Sequence, residues 1–323
     1  MSILPRYDQL PVTTGAPAGS SWGLWGPNDR LGCLNKIDAA AVRRGLDSAT
    51  SGEIFPLNLS LSEPSPPMFD RPAFTHDVSW LPNEVGHDDA LSGWNTQSSS
   101  QWDGFRHIRH PVHGFYNGVA DEDHGVAHWA QRGLVTRAIL CDVGRYLEAQ
   151  GRPLAYDRAA TFSAADVLAT LDQQGSTVEP GDILLVRTGW VEWYLRQDRA
   201  MREDLATNTR APGIEPGRST AELFWDLQVA AVAGDNPALE AYPADAVVGR
   251  ERLFELIGEG RYEEFFVHFA LLPLLGLPIG EFFQLGTLAD ACAKDRRYTS
   301  LMTSAPLNLP QGVASPPNAL AIR

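Results

Sequence analysis

The run from Phe265 to Phe283, FFVHFALLPLLGLPIGEFF, is the most apolar stretch of this chain, yet it contains His268 and Glu281. Pro273 and Pro278 interrupt it, so it is not one uninterrupted membrane-crossing helix. Its apolar side chains belong instead in the interior of a globular domain. There an imidazole and a carboxylate cost free energy unless each is paired or coordinated. The fold must therefore bring polar partners to this segment from elsewhere. A neutral core histidine bonded to a backbone carbonyl would be a simpler solution for His268.

The second informative stretch is residues 96 to 118, TQSSSQWDGFRHIRHPVHGFYNG. His107, His110 and His113 lie in it, and His124 and His128 follow, so five of the eight histidines fall within 22 positions. Asp103 precedes His107 by four residues, with Trp102, Phe105, Phe115 and Tyr116 interleaved. Neighbouring carboxylates and imidazoles suit a divalent metal or an acid–base pair. Gly104, Gly114 and Gly118 point to irregular backbone, where site residues are often found. Composition alone allows an ordinary polar surface loop as well.

Net charge is −14, which argues against nucleic acid or an anionic membrane as partner. Cys33, Cys141 and Cys292 are far apart and odd in number, so no disulfide framework is expected, in keeping with a reducing cytoplasm. The opening MSILPRYDQL lacks the pattern of a secretory signal.

Residues 1–30 carry turn-forming Pro and Gly and predict an extended arm, followed by one domain over 31–323. A helix is expected over 37–46 with Asp38 at its start, and a strand over 53–61 placed near a sheet edge by Pro56. Residues 62–95 predict a long excursion near the site. Further strands are expected over 135–143, 183–186, 230–233 and 301–309. Ser163 should cap a helix that stops near Gly175, and Ser219 to Glu222 reads as a capping box. Leu285 to Cys292 reads as helical. Asp235, at the end of a buried strand, is either a site residue or the start of an Asx turn.

The run from Gln97 to His107 resembles, in degenerate form, the signature H-x-G-T-H-x-D-x-P-x-H of a cyclase family that includes bacterial kynurenine formamidases and isatin hydrolases. Asp103 falls on the signature aspartate and His107 on the last histidine. Gln97 and Gln101 fall on the first two histidines, Ser99 on the glycine, Ser100 on the threonine and Phe105 on the proline. Three other runs are similar to family landmarks: Trp25 to Asn35, Gly181 to Trp190, and His268 to Glu281. Gly312 to Pro317 resembles a Gly-Ser-Pro turn near the family's C-terminus.

The resemblance implies an α/β fold, a single domain with a mixed sheet core flanked by helices, and a homo-oligomer, with a dimer in which residues 1–30 reach over a neighbour. It implies Asp103, His268 and Glu281 as metal ligands and His107 as acid–base group. Gln97 and Gln101 depart from the pattern. An amide oxygen is a hard, weak ligand, tolerable to Mg²⁺ or Mn²⁺ and poor for Zn²⁺. A harder or weakly held metal, replacement of the lost ligands by His110 or His113, and loss of the metal all remain open. The implied activity is metal-dependent hydrolysis of an amide, arylformamide-like, or of a lactone or cyclic amide. The alternative is a metal-free lyase, isomerase or small-molecule binder of the same fold. Trp102, Phe105 and Tyr116 hint at an aromatic or flat small molecule.

Overall fold

A computed structural model describes residues 4–323. Its centre is a nine-stranded mixed sheet in the order Ile54–Pro56, Ala319–Ile322, Thr299–Ser304, Leu134–Cys141, Ile183–Val186, Ala231–Gly234, Ile279–Glu281, Gln101–Asp103 and Ala314–Ser315. The four strands from Leu134 to Glu281 run parallel. The remaining pairs are antiparallel. Ile183–Val186 and Ala231–Gly234 are buried at every position, as expected of parallel strands covered on both faces. The sheet is the predicted α/β core. Among the described residues, no helix is long and apolar enough to cross a membrane.

Asp38 caps the helix Ala39–Ser48 by accepting from the amides of Ala40 and Ala41. Ser163 and Asp166 form a reciprocal capping box on Ala164–Gln174, which ends at left-handed Gly175. The box expected at Ser219 does not form. The helix Arg218–Asp226 begins earlier, after Gly217, and the Thr220 hydroxyl donates to the carbonyl of Glu215 instead. The expected 53–61 strand shortens to Ile54–Pro56 at the sheet edge. The 62–95 excursion contains an unexpected hairpin, Thr75–Trp80 with His87–Ser92, exposed throughout.

Of the expected arm, residues 1–3 lie outside the described residues. Residues 4–30 pack on their own chain. Trp225 Nε1 donates to the carbonyl of Pro5, and Arg6 pairs with Asp226 at 2.8 Å. Further on, Trp22 Nε1 donates to Pro273, and the Ser21 amide to Leu274. Gly32, at φ +55°, lies so close to the carbonyl of Gly276 that a Cβ would meet it at 2.0 Å. The start of the chain thus braces the segment that carries His268 and Glu281.

Candidate acid–base and metal site

The Gln101–Asp103 and Ile279–Glu281 strands run antiparallel with Gln101 opposite Glu281 and Asp103 opposite Ile279. Alternation along a strand puts Gln101 and Asp103 on one face, and the register adds Glu281 to it. Gly280 permits this closeness: a Cβ there would lie 2.6 Å from Ala233 Cβ and 2.9 Å from the Trp102 ring. The short helix Val267–Leu271 brings His268 to the same place.

The polar groups form one connected cluster. Gln101 Nε2 donates to Glu281 Oε2 at 2.6 Å and to Asp103 Oδ1 at 3.2 Å. Gln97 Nε2 donates to Asp103 Oδ1 at 2.8 Å and to His107 Nδ1 at 3.0 Å. His268 Nε2 lies 3.2 Å from Glu281 Oε1 and 3.8 Å from Asp103 Oδ2. Its Nδ1 contacts both oxygens of Glu240, at 2.9 and 3.0 Å, and the Phe266 ring stacks on it at 4.5 Å. Asp103, Gln101, Glu240, Glu281 and His268 are all buried, while His107 keeps 22% of its side chain exposed and marks the mouth.

The electrostatics follow from this packing. Burial opposes the charge on Asp103, but His107 and His268 outweigh it and hold the carboxyl below its usual range. Burial, followed by the charge of Asp103, raises Glu281. Burial also opposes charge on His268, yet Glu240, Asp103 and Glu281 together lift it well above the ordinary imidazole value. His107 is lowered, by burial first, with Asp103 pulling the other way.

Three buried carboxylates therefore surround one imidazole, and that acceptor-rich arrangement needs a cation or protons. One buried acceptor, Gln101 Oε1, has no hydrogen-bond partner among the described residues. Leaving such a group unmet costs about 1–3 kcal/mol. Asp103, His107 and His268 each offer a ligand atom, all within 4.8 Å of one another. Carboxylate oxygens, one or two imidazoles and a free amide oxygen suit a hard or borderline divalent ion. Glu240 would orient His268 as carboxylates orient metal-binding histidines. The donor set thus fits a divalent metal.

Backbone strain coincides with the cluster. Leu239, before Glu240, and Phe282, after Glu281, have φ of +56° and +54°. Bulky residues seldom adopt this region, which costs about 1–3 kcal/mol each.

The structure brings Asp103, His107, His268, Glu281, Gln97 and Gln101 together. His110 and His113 are elsewhere and cannot replace missing ligands: they stack on each other, and His110 Nε2 faces Glu263 at 3.6 Å. Trp102, Phe105 and Tyr116 are core residues rather than walls of a site. Asp235 forms no Asx turn. It accepts from the amides of Thr188 and Gly189, each at 2.7 Å, and so ties together two strand ends outside the cluster. Glu240 escaped sequence reasoning, although a carboxylate within the apolar run Ala238 to Ala241 carries the same burial argument as His268. A groove of about 740 Å³, walled by the hairpin and the Ser60 loop, adjoins the cluster's loop through Ser99 Oγ, which donates to Ser60 at 2.9 Å.

A family model described as "Putative cyclase" matches residues 55–241. No curated protein matches the sequence. A crystal structure described as a novel cyclase is 27% identical, with TM-score 0.79 over 94% of this chain and 97% of that one. Isatin hydrolase A from Labrenzia aggregata, bound to benzyl benzoate, is 15% identical, with TM-score 0.57 over 87% of this chain and 98% of that one. An isatin hydrolase bound to the product analogue thioisatinate is 16% identical, with TM-score 0.56 over 88% and 98%. The chain belongs to the cyclase family.

Proposed function

We propose that this chain is a hydrolase that cleaves an amide of arylformamide type, or a lactone or cyclic amide, with a divalent cation held by Asp103, His268 and Glu281 and with His107 handling the proton. The observation that carries the reading is the meeting of Asp103, His107 and His268 within 4.8 Å, ringed by further buried carboxylates. The isatin hydrolases among the structural neighbours support the reaction class.

Hydrolysis needs a reactive water, a stabilised oxyanion and a proton for the leaving atom. A divalent cation supplies Lewis acidity to the carbonyl and acidifies a water. The chain's residues do the rest. Gln97 donates to Nδ1 of His107, which leaves Nε2, 4.0 Å from Asp103 Oδ1, to carry a proton. Glu240 fixes the ring of His268 through Nδ1, so that Nε2 faces Glu281 and Asp103. Gln101 holds Asp103 and Glu281 by donating to both through Nε2, and its Oε1 is free to act as a weak additional ligand to the cation. With amides at 97 and 101 rather than imidazoles, Mn²⁺, Mg²⁺ or weakly held Zn²⁺ suits the site.

A second reading keeps the cluster free of metal. Both nitrogens of His268 face carboxylates, so an imidazolium satisfies the geometry by itself, as a lyase, isomerase or binding protein would use it. Metal analysis of protein purified without chelator, together with turnover on aryl formamides, cyclic amides and lactones, separates the two. Turnover that survives exhaustive chelation rejects the metal reading. We also propose a homo-oligomer, supported by exposed Val78, Trp80 and Leu91 on the projecting hairpin. A purely monomeric species in ultracentrifugation at micromolar concentration contradicts it.

A further inference from the structure

Beside the cluster stands a cation, Arg71, with no carboxylate partner among the described residues. Arg71 follows Phe69 and Asp70, two successive non-glycine residues with φ of +60° and +55°. Such a turn is strained and persists only where surrounding contacts fix it. The fixing contacts are visible. Phe69 packs edge-on against Tyr242 at 5.4 Å, the Arg71 guanidinium lies over the Phe69 ring at 5.0 Å, and Nη1 donates to the carbonyl of Gln97. The Gln97 side chain is itself bonded to Asp103 and His107, so Arg71 is one residue removed from the acid–base groups. Its charge reaches Asp103, His107 and Glu281.

Most other sheltered arginines behave differently; Arg132, which meets only the carbonyls of Gly133 and Ile37, is the exception and lies outside the cluster. Arg106, Arg137, Arg187 and Arg202 each pair with a carboxylate. Arg71 has none among the described residues, and its only polar partner is a main-chain oxygen. The guanidinium is a planar fork whose remaining N–H groups match a carboxylate. A net-negative cluster would repel an anionic ligand unless a cation stood beside it. We propose that the molecule this site acts on carries a carboxylate, and that Arg71 binds that carboxylate beside the mouth marked by His107. That this molecule is a substrate rests on the hydrolase reading, but its binding does not.

The test uses the full chain and two probes of matched shape, benzoate and benzamide, titrated by calorimetry. Wild-type protein should bind benzoate roughly tenfold or more tightly than benzamide. Arg71→Gln should bring that ratio close to one without changing benzamide affinity, an outcome a merely structural role would not give. Arg71→Lys should keep part of the preference, and it serves as the readout if the Gln variant does not fold. Equal binding of the two probes to wild type, or binding of neither, overturns the inference. A preference that survives undiminished in the variants overturns the assignment to Arg71. Absence of turnover on every amide and lactone tested would instead reject the hydrolase reading, while the benzoate preference would stand.

Discussion

Gln101 and Glu281 are directly opposed in an antiparallel strand pair, and the amide of one donates to the carboxylate of the other at 2.6 Å. The same amide also donates to Asp103, so one side chain holds two buried carboxylates at a fixed separation. Gln101→Met keeps the size but removes both charge-assisted bonds. The variant should lose about 2–3 kcal/mol of stability, read from urea denaturation midpoints. An unchanged midpoint would mean that the carboxylates rely on other groups.

Placing imidazoles at 97 and 101 should change which metal the cluster prefers. The double variant Gln97→His/Gln101→His adds the borderline-soft donors that favour zinc. Its zinc affinity should rise by roughly two orders of magnitude over wild type, measured by competition with a chromogenic chelator. No gain would show that these positions do not face the metal.

Asp103 and His107 should separate metal content from turnover. Asp103→Ala should abolish both. His107→Ala should leave metal content unchanged and reduce kcat by about 10²–10⁴-fold. Loss of metal from the His107 variant would make that residue a ligand rather than a proton carrier.

Glu240→Gln tests the residue behind His268. The amide can still meet Nδ1 but no longer supplies charge, so metal affinity or kcat should fall about 10–100-fold with little change in fold. Mass spectrometry for metal and steady-state kinetics read the two quantities separately.

One pH effect lies away from the site. Burial pushes the His124 imidazole down to about 4, despite its bond to the carbonyl of Tyr116. The unfolded chain, with an ordinary histidine near 6.5, binds the proton more readily. Stability from this residue is therefore fully present above about 6.5 and is lost as pH falls through about 4, by about 3 kcal/mol in all. His124→Gln should flatten the decline of the melting temperature across that window.

The sequence was most readable where local chemistry decides. Ile183–Val186 emerged as expected, and Ser163 and Gly175 bracket their helix as their side chains and backbone require. The burial cost of His268 and Glu281 announced partners, and the motif register supplied Asp103 and His107. Local rules failed where the tertiary environment chose between competing bonds. The helix Arg218–Asp226 starts after Gly217, so Ser219 lies inside it and cannot cap it. His110 and His113 stayed open as replacement ligands in the sequence, and only the fold, which stacks them on each other with His110 facing Glu263, takes them out of the cluster. The hairpin at Thr75–Ser92 has no buried face, so no apolar alternation could announce it.

The Ile279–Glu281 strand has a parallel neighbour on one side and an antiparallel neighbour on the other. On the metal reading proposed above, ligand identity and scaffold integrity consequently fall to different halves of the sheet. Position 101 lies on the thin side, closed only by the two residues Ala314–Ser315, and position 97 lies in the turn that leads to it, so on that reading cation preference can drift there without rewriting the parallel block. Glu281 sits on the seam itself, and a change there is felt in both directions. Substitutions at the two glutamines should diversify chemistry, whereas substitutions at the seam should extinguish it.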